Sequence, residues 1–176
     1  MAPNSFAQRY FELTNQDPYI QSVARPGQTI TKKMPYEYGV IIGGQTVNGV
    51  VQPLLTLAAG AITSTLATLA DSDFVLSAIS ASVNINANSD MKFNRNLTLQ
   101  IQDASTGKYF YSAPTVMALS AGGGGFPLVY AAPRVLRPNT ILNVTAQNRD
   151  TGQDYQSMYI TFHGTRIFYA DQAQAA

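Results

Sequence analysis

The chain carries a single histidine, His163, and no cysteine, so the side chains that most often do nucleophilic or metal chemistry are nearly missing. A histidine acting as general base needs a nucleophile within hydrogen-bond reach and a third group that orients the ring. Neither serine nor aspartate stands in a recognised motif around His163, and its surroundings alternate like a strand, which points to a structural or sheet-surface role. One imidazole without thiolates also leaves a zinc or other transition-metal site short of ligands. Asp71 and Asp73 could grip calcium, but no further oxygen ligands follow at the spacing of a calcium loop, and an Asx-turn is the simpler account. Asp103, Asp150 and Asp154 fall in turn-like segments for the same reason. The run Gly122 to Gly125 has no Lys-Ser or Lys-Thr pair after it and no helix signal, so it is not a phosphate cradle and reads as a mobile loop. No catalytic, cofactor or metal residue is assigned, and the expectation is a protein that is not an enzyme.

Composition narrows the partners. The chain has 176 residues, enough for one domain that buries its own core. Only 12% of residues are charged, about half of what soluble domains usually carry, and the net charge is +1. A weakly charged surface offers no basic stripe for nucleic acid and no field for anionic lipid. The first residues lack the basic start and apolar run of a signal peptide, and no apolar stretch approaches the roughly 18 residues of a membrane span. The expectation is therefore no nucleic acid, no membrane, and folding in a cytoplasm.

The elements that would position any site are strands. Leu97, Leu99 and Ile101 alternate with Thr98, Gln100 and Gln102, the period of a half-buried strand. Leu142, Val144 and Ala146 alternate with Asn143, Thr145 and Gln147, and Met158, Ile160 and Phe162 with Tyr159, Thr161 and His163. The polar stretch from Asn148 to Asp154 between these two runs predicts a hairpin joining them. Residues 61–69 fit a Thr-rich strand, with a helix as rival. Eight or more such strands at intervals of about 8 to 12 residues predict an all-β fold, an antiparallel β-sandwich with jelly-roll connections. The domain would span 36–169, followed by a polar tail, 170–176. Before it, residues 1–35 contain Pro3, Pro18, Pro26 and Pro35 and read as an extended arm.

Phe6, Tyr10, Phe11, Tyr19 and Ile20 on that arm, with Tyr36 and Tyr38 at its end, are the expected partner-binding residues. Leaving such side chains in water forfeits roughly 1.5 to 3 kcal/mol for each one that could be buried. The arm could fold back on its own domain or lie on a neighbouring subunit. Tyr109, Tyr111, Tyr155 and Tyr159 also fall beside turns or strand edges, where a ring can pack and still meet water, a partner or a sugar.

The Pro-rich arm, the Thr-rich strand ending in Ser72-Asp73-Phe74, the run Leu99-Gln100-Ile101-Gln102-Asp103, and the closing Leu136-Arg137-Pro138-Asn139 and Ile160-Thr161-Phe162-His163-Gly164 resemble small structural proteins of tailed bacteriophage virions. The resemblance covers about residues 70–169 and is one of style. It implies a non-enzymatic virion component made in the host cytoplasm. It would decorate or cement the capsid, with the major capsid protein or another virion protein as partner and a homo-oligomer, a trimer for preference, as its state. A collar, neck or tail-fibre receptor or carbohydrate-binding module is the alternative.

Overall fold

A computed structural model of the chain describes residues 25–43, 45–47, 50–52, 56–69, 72–84, 96–123, 126–152 and 154–170. Its strands are β1 (Ile30–Ile41), β2 (Gln45–Val47), β3 (Val50–Gln52), β4 (Ile62–Thr68), β5 (Asp73–Asn84), β6 (Leu97–Asp103), β7 (Lys108–Tyr109), β8 (Thr115–Val116), β9 (Gly122–Gly123), β10 (Phe126–Leu136), β11 (Ile141–Asn148) and β12 (Gln156–Tyr169), with one helical turn, α1 (Met117–Ser120). One sheet runs β1-β12-β5-β10-β9 and the other β4-β11-β6-β7, with β8 also on β6; β2 and β3 form a separate ribbon. From β1 the chain crosses to β4, returns to β5, crosses to β6 through β8, returns to β10, crosses to β11 and comes home to β12 beside β1. Crossing between layers at each main step is jelly-roll connectivity, so the fold is an all-β sandwich of that kind.

This connectivity corrects the predicted hairpin. β11 pairs with β4 and β6, whereas β12 pairs with β1 and β5, so the two strands lie in opposite sheets. Leu142, Val144 and Ala146 of one, and Met158, Ile160 and Phe162 of the other, are all buried in the common core. Placed in facing sheets, these apolar rows meet across the interior, and the polar link bridges the roughly 10 Å between layers.

β5 is central and buried on both sides. Phe74, Leu76 and Ile79 point into the core, while Val75 packs with Ile167 against Ile30, Val135 and Tyr169 on the other face. The β12 register slips at His163 and Gly164, which lets Gly164 sit against β5. A Cβ on Gly164 would lie 2.2 Å from the Val75 carbonyl oxygen and 2.6 Å from the Phe74 ring, so this contact requires glycine.

β1 begins at Ile30, upstream of the boundary expected at 36, and runs through Pro35. Among the described residues it is an edge strand, where a missing N–H need not break a ladder. Two of the four glycines read as a loop form β9 instead, paired with β10. Residues 62–68 are a strand and not a helix, but with an inverted pattern: Ile62, Ser64, Leu66 and Thr68 face solvent while Thr63, Thr65 and Ala67 are half-buried. Ile62 and Leu66 stay 62% and 68% exposed.

Candidate functional site

Antiparallel strands place alternate connections at opposite ends of the sandwich, and each end is closed by a polar knot. At the first, Asp73 opens β5 with its side chain at zero exposure. Arg25, just before β1, donates to it from Nε at 3.1 Å and Nη2 at 2.8 Å. Arg137 donates from Nη1 at 2.8 Å, and the Tyr169 hydroxyl from the end of β12 at 2.9 Å. Arg137 is presented by the β10–β11 turn, where Asn139 takes φ +59° and Thr140 donates its N–H and hydroxyl to the Arg137 carbonyl. Asparagine tolerates that left-handed geometry better than most residues.

Burial alone would push the Asp73 carboxyl up, but the hydrogen bonds of Arg25 and Tyr169 and the charges of Arg137 and Arg25 outweigh it and hold it below the usual carboxylate range. The same bond raises the Arg25 guanidinium, and burial followed by the Asp73 bond raises the Tyr169 phenol. Beside them the Arg166 Nε donates to the Ser72 hydroxyl at 2.8 Å, with its guanidinium 5.0 Å from the ring centres of both Tyr36 and Phe168. An open cavity of about 220 Å³ lies here, lined in part by Arg25, Gln28, Asp73 and Tyr169.

The opposite end is tied without ion pairs among the described residues. Asn148, fully buried, donates its side-chain N–H to the Leu57 carbonyl at 3.0 Å and accepts from the Asp150 N–H at 2.8 Å. Leu57 and Tyr155 exchange backbone bonds at 2.7 and 3.1 Å. The Tyr155 ring is wholly buried, not placed at the wet edge its sequence position suggested, and burial followed by the charge of Asp150 pushes its phenol up to about 12.

Between the ends, on β12, His163 Nδ1 lies 3.0 Å from Glu37 Oε1 and Nε2 lies 2.7 Å from Ser80 Oγ. A carboxylate only accepts, so Nδ1 carries the proton it donates to Glu37, and Nε2 shares a hydrogen bond with the Ser80 hydroxyl. The parts are ordered as in a hydrolytic triad. Ser80, however, is only 6% exposed on the central strand between β12 and β10, and Glu37 is 68% exposed at its side chain. Stabilising an oxyanion requires N–H donors aimed at a site that a carbonyl can reach beside the nucleophile. The relay here joins β1, β12 and β5, so it works as a cross-strand brace.

No protein-family model, curated protein or solved structure matches the chain. Of the expected partner-binding residues, Phe6, Tyr10, Phe11, Tyr19 and Ile20 lie outside the described residues. Tyr36 and Tyr38 share one face of β1, rings 4.7 Å apart. Tyr38 meets Phe74 edge-on at 4.9 Å and belongs to the core margin, while Tyr36 stays 38% exposed under Arg166. The calcium alternative fails at Asp73, whose oxygens are taken by Arg25, Arg137 and Tyr169, and Asp73 opens β5 directly after a bend at Ser72. Asp71 is outside the described residues. Among those described, no three His, Cys, Asp or Glu side chains cluster to hold a metal. Asp103 does make the Asx-turn, accepting from the N–H groups of Ser105 and Thr106. Sequence reasoning missed Arg25, Arg137 and Tyr169, which are distant along the chain; the available signal was an acid opening the apolar run Phe74-Val75-Leu76.

Proposed function

We propose that the protein is a non-enzymatic structural component of a phage virion that binds the capsid surface as a decoration or cement protein and stabilises the shell through contacts between copies. The observation that carries this reading is β4. An edge strand that turns Ile62 and Leu66 outward and threonines inward is poorly suited to water and well suited to a covering protein. The jelly roll recurs in viral capsid and lectin domains, which adds support by analogy alone. The low charge fits a surface covered by protein, and an aromatic segment ahead of Arg25 would bring further apolar area to a neighbour. Each docked aromatic adds on the order of 1 to 3 kcal/mol, and repetition over a shell multiplies that into avidity. The partner is then the major capsid protein or another virion protein, with homo-oligomers, trimers for preference, as the assembled state.

A collar, neck or tail-fibre module that binds receptor carbohydrate is the second reading, favoured by the half-exposed ring of Tyr109. Light-scattering mass and co-sedimentation with purified shells test the first reading. The expected result is an oligomer that sediments with shells, weakened by Ile62→Asp with Leu66→Asp and by deletion of residues 1–24. A monomer that stays in the supernatant, and binds on a glycan array, overturns it.

A further inference from the structure

Of the margins that the described residues give the two main sheets, three are guarded against another strand and one is not. β1 carries Lys32, Lys33, Pro35 and Glu37. β10 carries Pro127, Pro133 and Arg134, shifts register between Val129 and Arg134, and is paired at its start by β9. The far side of β6 is covered by the short strands β7 and β8. Charges, prolines, bulges and short covering strands are the devices that stop a sheet from growing. β4 has none of them: its seven residues ITSTLAT hold no charge and no proline, and its register with β11 is unbroken. Ala61 accepts from the Asn148 N–H and Leu69 donates to the Thr140 carbonyl, each at 2.9 Å and in the β4–β11 register, so the odd-numbered residues bond to β11. Antiparallel ladders alternate, so Ile62, Ser64, Leu66 and Thr68 turn their N–H and C=O groups away from the sheet.

We infer that this edge pairs with β4 of a second copy, antiparallel about a two-fold axis at Ser64, making one continuous sheet through both molecules. Outward-bonding residues must face each other, so even positions match even positions. Centred on Ser64, the register sets Ile62 against the partner's Leu66, Leu66 against the partner's Ile62 and Ser64 against itself, which joins the exposed apolar side chains of both copies on one face. Thr63 meets the partner's Thr65 on the other face. A strand bearing charge would repel its own copy, whereas β4 bears none and meets itself without like-charge cost. The pair is one of the contacts between copies proposed above and rests on that reading; trimers joined through another face would still meet each other here across a two-fold axis.

The test is the mass of the full chain in sedimentation equilibrium over a range of concentrations, without shells. The wild-type chain is expected to double its mass as concentration rises. Ser64→Lys and Ser64→Glu each place like charges on the axis and weaken the doubling at least about fivefold, whereas an equimolar mixture of the two restores it. The chain has no cysteine, so single cysteines report the register. Facing Cα atoms at Ser64 stand about 5.5 Å apart, within reach of a disulfide, while Thr68 stands roughly 27 Å from its counterpart at about 3.4 Å per residue. Oxidised Ser64→Cys therefore gives a covalent dimer and Thr68→Cys does not. A mass that never doubles, doubling untouched by either charge, a mixture no tighter than its components, or equal cross-linking at 64 and 68 overturns the inference. So does slow hydrogen exchange at the Ile62, Ser64 and Leu66 amides in the unpaired chain, since a segment of the same molecule would then occupy the edge. Shells that bind the chain while its mass never doubles sink this inference and leave the capsid reading standing. Doubling without shell attachment does the reverse.

Discussion

The two ends of the sandwich solve one problem with different chemistry. Each must join segments far apart in sequence over the rim of the core. One end uses a buried carboxylate ringed by Arg25, Arg137 and Tyr169; the other uses Asn148, the Leu57–Tyr155 backbone pair and Asp150. A neutral amide can be satisfied completely and sealed, as Asn148 is. A buried charge needs several donors, and those donors bring charge of their own. The Asp73 end keeps an open cavity beside its arginines, while Asn148 at the other end is sealed from solvent.

Substitutions can break that contrast or sharpen it. Gly164→Ala, between the ends, should cost about 3 kcal/mol in urea unfolding, because its Cβ meets a carbonyl and a ring with no room to yield, and it should weaken both ends alike. Asp73→Asn should cost about 2 to 3 kcal/mol by leaving two guanidinium groups without their counter-charge. Hydrogen exchange should then quicken at residues 137–140 and not at Leu57 or Tyr155; uniform quickening would erase the distinction between the ends. Asn148→Ala should cost about 2 kcal/mol and show the opposite exchange pattern.

Acid acts on both ends, since the bonds of Asn96 and Gly152 also hold the exposed Asp150 carboxyl low, but the buried Asp73 carboxyl should carry the larger effect. The Asp73 carboxyl is held below its unfolded value, so the stability it contributes is present above about pH 4 and is lost as pH falls through the lower folded value. Denaturation midpoints should be flat from neutrality down to about pH 5 and drop below about pH 4. Asp73→Asn should blunt that drop, and Asn148→Ala should leave it in place. Smallest of all, His163→Ala should cost about 0.5 to 1 kcal/mol, as expected for a brace whose outer member is mostly in water.

What could be read in the sequence was local. The alternation of Leu97, Leu99 and Ile101 and of Leu142, Val144 and Ala146 depends on neighbours two residues apart, and those strands lie where expected. The partner of a strand is not encoded by alternation: the same apolar face suits a hairpin neighbour or a facing sheet, and that is where the 142–163 reading went astray. On β5, Ile79 joins Phe74 and Leu76 on the inner face because the register slips opposite His163 and Gly164, which a strict period of two cannot anticipate. The Asp73 knot gathers positions 25, 73, 137 and 169, and no pattern over a short window connects them. The inverted faces of β4 were visible as a Thr-rich run with poor alternation, though not their direction.

The chain enters and leaves the sandwich at one place. Arg25 donates its N–H to the Tyr169 hydroxyl at 3.3 Å, and Ala170 donates its N–H to the Thr29 carbonyl at 3.0 Å. A short linker from 170 to 25 would therefore close the chain into a ring, and a circular permutant reopened near 151–152 should keep every strand. Cargo joined directly at residue 25 or residue 170 would start from the Asp73 rim, on the far side of the sandwich from Asn148.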